Sequence, residues 1–92
     1  MAEIEISPAA AERDSLAFDV TVSEGSGRSA HHVTVSRPDL ERLGASGETP
    51  TRFVERCFEF LLQREPKESI LSRFDITDIG RYFPEFEESI RR

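Results

Sequence analysis

Between Phe53 and Leu62 the chain places seven apolar residues in ten positions: Phe53, Val54, Cys57, Phe58, Phe60, Leu61 and Leu62. At about 100° per residue they spread over an arc of roughly 200°, twice the stripe an ordinary surface helix buries. Such a helix is stable only if it is covered from two sides. Its ends are marked: Thr49 can accept from free first-turn amides, Pro50 stands where no amide hydrogen is needed, and Pro66 halts continuation. The spacing predicts a helix from Pro50 to about Glu65, with strands upstream as one cover and the tail as the other.

The upstream strands are legible as alternation. Leu16, Phe18, Val20 and Val22 interleave with Ala17, Asp19, Thr21 and Ser23, and after Glu24-Gly25-Ser26-Gly27-Arg28 the period resumes with His31, Val33 and Val35. A period of two with a glycine-bearing, five-residue turn predicts an antiparallel hairpin. Ile4 and Ile6 predict a short third strand at the edge, and Ser7 to Asp14 a connector with one helical turn, Ser7 as cap and Pro8 first. Ser36, Asp39, Leu40, Leu43 and Gly44 predict a short capped helix that stops at the glycine.

Seven of the eight aromatic residues fall in the second half of the chain. In the tail, Ile70, Leu71 and Phe74, then Ile79, Tyr82, Phe83, Phe86 and Ile90, recur at helical steps. Asp75 and Asp78 predict a capped start at Ile76, and Pro84 a bend near Tyr82–Pro84. Beyond the bend, Glu85, Glu87 and Glu88 at the start and Arg91 and Arg92 at the end suit a helix dipole. The expected fold is α+β: a two- or three-stranded antiparallel sheet, packed on one face by a central helix and a bent C-terminal helical tail, in a single domain spanning residues 1–92.

The net charge of −6 lies mainly in the first half, where residues 1–49 hold nine acids and four bases against nine and eight in the remainder. No basic footprint for nucleic acid exists, and an acidic surface repels anionic membrane. The acidic opening Met-Ala-Glu-Ile-Glu-Ile is unlike a signal peptide, and Phe60-Leu61-Leu62 is far shorter than the roughly 18 residues of a membrane span. The expectation is a cytoplasmic protein. Eleven of twelve basic residues are Arg, which names no partner.

No catalytic constellation emerges. His31 and His32, the two histidines, are strand neighbours that point to opposite faces and so cannot chelate one metal together. The single cysteine, Cys57, lies inside the apolar arc and reads as a small hydrophobe. Gly25-Ser26-Gly27 and Gly44-Ala45-Ser46-Gly47 lack the following Lys-Ser/Thr of a phosphate loop and read as turns. No cofactor or metal site and no enzymatic activity are expected. The residues singled out for contact with a protein partner are Tyr82, Phe83 and Phe86 beside the Pro84 bend. Their competing role is closing the core; two of them exposed in one patch would point to self-association, as in a homodimer.

Two resemblances accompany these readings. From Val33 on, Val-Thr-Val-Ser, the helix Arg37-Pro38-Asp39-Leu40-Glu41-Arg42-Leu43 and the helix from Thr49 resemble, over residues 31–65, the ribbon-helix-helix family of dimeric DNA-binding proteins and antitoxins. That likeness implies a ribbon paired with its copy, presenting His32, Thr34 and Ser36 to DNA. The run from Phe60 through Glu65-Pro66-Lys67, with Phe74-Asp75-Ile76 and Arg81-Tyr82-Phe83-Pro84-Glu85-Phe86, resembles a group of small bacterial proteins of unassigned activity. It implies a stand-alone unit. The expected function is therefore a non-catalytic protein-interaction or assembly module, with a DNA-binding antitoxin as the alternative.

Overall fold

In the computed structural model, which describes residues 2–91, the chain forms an α+β domain with a four-stranded sheet; Met1 and Arg92 lie outside the described residues. Strands β1 (Glu3–Ala11), β2 (Ser15–Glu24) and β3 (Gly27–Ser36) run antiparallel, and β4 (Arg73–Asp75) adds a parallel strand at the far side of β3, in the order β1-β2-β3-β4. The sheet is thus larger and mixed, not two or three antiparallel strands. Phe18, Val20 and Val22 of β2 and His31, Val33 and Val35 of β3 point to one covered face, joined there by Phe74 of β4.

The hairpin turn is tighter than its composition suggests. Glu24 pairs with Gly27, leaving Gly25 and Ser26 as a two-residue loop with Gly25 at φ +61°, the one conformation there that favours glycine. Residues 7–11 also depart from expectation: they continue β1 and form no helical turn. Each pairs across to β2 except Ala9, where the register shifts between Pro8 and Ala10. Proline is tolerated because β1 is an edge strand, and the bulge absorbs the irregularity. The β1–β2 turn is then pinned from outside. Arg37 donates from Nε and Nη2 to the Glu12 carbonyl and from Nε to that of Arg13.

Helix α1 (Arg37–Leu43) is capped by Ser36, whose Oγ accepts from the Asp39 amide at 3.1 Å. It stops where foreseen. A Cβ at Gly44 would sit 2.7 Å from the Leu40 carbonyl oxygen, so only glycine lets the chain leave α1 along this path. Helix α2 (Pro50–Leu62) begins with Thr49 Oγ1 accepting from the Arg52 amide and ends three residues before Glu65. Phe53, Val54, Cys57, Phe58, Phe60 and Leu61 are buried, and Leu62 half-buried. Both covers exist: the sheet lies against one flank, with His31 and Phe74 meeting the Phe58 ring, and the tail against the other, with Phe83 and Phe86 on the Phe60 ring.

The tail corrects one further expectation. Ile70, Leu71 and Phe74 do not share a helix; a single 3-10 turn (Lys67–Ser69) leads into extended chain and β4. The backbone there is satisfied by β3 in place of helical partners, since the His32 amide donates to the Ser72 carbonyl at 2.8 Å. Asp75 then caps the next turn in a reciprocal box, accepting from Thr77 while Asp78 accepts from the Asp75 amide. Helix α3 (Ile79–Tyr82) breaks at Phe83 and Pro84, and α4 (Phe86–Ile90) follows, so the bend falls where Pro84 places it.

Arginines tie this tail to the helices. Arg56 Nη2 donates to Glu48 Oε1 at 2.8 Å, its Nε engages Glu48 Oε2, and its Nη1 donates to the Ile90 carbonyl at 2.6 Å. Glu48 is largely covered, and its hydrogen bonds from Arg56 hold its carboxyl below the ordinary value of 4.5. A carboxylate with a depressed folded pKa stabilises above its unfolded value, and that contribution is lost as pH falls through the folded one. Urea titration should therefore show Glu48→Gln less stable than the parent by about 1–2 kcal/mol at neutral pH. As pH falls from 4.5 through the lower folded value the two should converge; parallel pH profiles would contradict this role.

Candidate functional site

The three aromatic residues singled out from sequence are separated by the fold. Phe86 is completely buried, its ring 5.1 Å from that of Phe60, and is a core residue that no partner can reach. Phe83 is half-buried, edge-on to Phe60 at 6.0 Å. Tyr82 is 66% exposed. Among the described residues, the other large hydrophobic side chain left in solvent is Leu71, at 47%.

Leu71 and Tyr82 border the same feature. A groove of about 80 Å³ runs between the extended Ile70–Phe74 segment and the α3 turn, floored by Leu61, Ile70, Phe74 and Ile79 and flanked by Phe83. Sites for small molecules are commonly about 300–1,000 Å³, so this one has room for a single large side chain. Its wall carries two acids. Asp78 is engaged by the capping box and by Arg81 Nε at 3.7 Å, a distance of charge attraction without a hydrogen bond. Glu65 is half-buried, and its carboxylate has no partner among the described residues.

The lip of the groove is held by a residue on the neighbouring strand, β3. His31, 4% exposed, brings Nδ1 to 2.8 Å from the Leu71 carbonyl oxygen and Nε2 to 2.8 Å from Ser29 Oγ, while its ring packs 5.4 Å from Phe58. With both nitrogens occupied and the ring sealed, His31 is a positioning residue for the Leu71 segment. The histidine neighbours do face opposite ways: His32 lies on the open sheet face, 2.9 Å from Asp19 Oδ1. The alternation in the sequence revealed the strand but held no sign that Leu71, 40 residues away, would be its partner.

The remaining chemistry-bearing groups are enclosed or dispersed. Cys57 is buried in the core, and desolvation pushes its thiol well above the ordinary range, so it is not nucleophilic at neutral pH. Among the described residues no three His, Cys, Asp or Glu side chains converge to hold a metal ion, and no helix is long and apolar enough to cross a membrane. Lys67, the one lysine, is buried against Gly27 and engages Glu68. No protein-family model, curated protein or solved structure matches the chain.

Replacement of the two histidines should separate their roles. His31→Ala loses ring packing and orphans the Leu71 carbonyl, a cost of about 2–3 kcal/mol in urea unfolding. His32→Ala, removing a half-exposed surface pair, should change stability by less than about 0.5 kcal/mol. Equal effects would refute the assignment. Cys57 should resist a thiol reagent in the native protein and react fully once urea unfolds it; rapid native labelling would mean that α2 is not sealed.

Proposed function

We propose that the protein is a non-catalytic protein-interaction module of the cytoplasm, acting through the groove that Leu71 and Tyr82 border. One observation carries this reading: the two large hydrophobic side chains most exposed on the described surface flank one apolar cleft, and paired exposure of this kind marks contact surfaces more often than isolated exposure does. The contact set becomes Leu71, Tyr82 and Phe83, with Phe86 serving as the support beneath it.

A catalytic reading has less support, because the buried histidine has both nitrogens engaged and the thiol is enclosed and protonated. The DNA-binding alternative also loses ground. A ribbon shared between two subunits needs a free strand edge, and β3 is hydrogen-bonded to β2 on one side and β4 on the other. His32 and Thr34, which would face a major groove, are engaged by Asp19 and Asp75.

A photo-activated crosslinking amino acid at position 82 tests the reading in cells that naturally make the protein. Crosslinks to polypeptide, whether another protein or the same chain, should form from position 82 and not from Thr21 on the open sheet face. A position 82 probe that captures no polypeptide sinks the proposal.

A further inference from the structure

Resting on the groove as the contact surface, we infer that its occupant is a second copy of this chain, the Tyr82 ring of each copy seated in the groove of the other. A two-fold contact uses the same patch on both subunits, so the patch must be complementary to itself. This one carries both shapes required. Tyr82 projects from the α3 turn as a largely solvated knob, and the groove beside it accommodates one large side chain.

The charges around the patch have the same self-complementary form. A net charge of −6 makes two copies repel at long range, so a place where opposite charges meet favours association. Arg81 adjoins Tyr82, is 82% exposed and touches Asp78 only at 3.7 Å, which leaves its guanidinium able to reach outward. Glu65 stands on the groove wall with no partner among the described residues. In the inferred pairing Arg81, next to Tyr82 in the chain, meets Glu65 of the second copy, and symmetry repeats the pair.

The sheet edges compete poorly for the same role. On β1, Pro8 and the adjoining bulge interrupt the edge, devices that oppose strand-to-strand pairing. On β4 only three residues are available, and the Asp75 amide is already capped by Asp78. The groove and its rim form a small interface, so the dimer is expected to be weak and concentration-dependent.

Sedimentation equilibrium of the full chain between about 10 µM and about 1 mM tests this, with far-UV circular dichroism and urea midpoints verifying that each variant folds. The parent should show a reversible monomer–dimer equilibrium, and Tyr82→Ser should weaken it about tenfold or more, as loss of an interface anchor does. Glu65→Arg and Arg81→Glu should each lose dimerisation alone, since each homodimer places like charges opposite. Mixed in equal amounts, these two variants should recover it as a heterodimer. A parent that stays monomeric overturns the inference, as does a dimer indifferent to Tyr82→Ser or a charge-reversed pair that fails to recover on mixing. A strict monomer that still crosslinks another protein from position 82 would remove self-pairing and leave the interaction module standing.

Discussion

The structure depends on the desolvation of α2 from both flanks. Fully burying a Phe or Leu side chain is worth about 1.5–3 kcal/mol, against a total stability of about 5–15 kcal/mol for a domain of ordinary size. Leaving the Phe60 side of α2 wet would therefore remove a large share of what holds the chain folded. The hairpin alone covers one flank, which is why the tail cannot be an appendage. Phe83, Phe86 and Ile90 have to return to the helix, and the Arg56–Ile90, Arg42–Glu87 and Arg64–Glu85 contacts fix them there.

The same need explains β4. After α2 ends, the chain must cross back over the sheet to reach the far flank, and its path lies along the free edge of β3. Ile70 and Phe74 turn inward on that path, and Leu71, between them, turns out. Its carbonyl would be wasted in solvent or orphaned if no donor met it. His31 closes that gap, so one buried histidine joins the sheet to the segment that forms the groove's lip.

Legibility in the sequence followed the range of the interactions. The α1 and α2 starts, the Gly44 stop, the Asp75–Asp78 cap and the Pro84 break are local, each set by side chains within four residues, and each is where the sequence places it. What was missed is set by distant partners. Residues 7–11 look like a connector until Leu16, Ala17, Phe18 and Asp19 of β2 supply them with a partner strand, and Ile70–Phe74 fits a helix by spacing until β3 offers its edge. The groove was half legible: Tyr82 and Phe83 stand out in the sequence as aromatic residues near a bend, whereas Leu71 and Glu65 join them only through tertiary structure.

The division among Tyr82, Phe83 and Phe86 follows from the bend itself. In an unbroken helix, residues 82 and 86 lie four apart on one face, and both rings would go into the core or both out. Pro84 forbids that continuity, and Phe83 leaves helical geometry at φ −130°. The chain is thereby reoriented between the two rings, Phe86 swings beneath Phe60, and Tyr82 is stranded on a four-residue helix with no face left to bury it. A core-packing requirement and one proline thus suffice to place an aromatic side chain in solvent beside an apolar groove, next to a loosely held arginine. The exposed ring is a consequence of how the core closes, and that same geometry gives the surface both the projection and the recess that a symmetric contact requires.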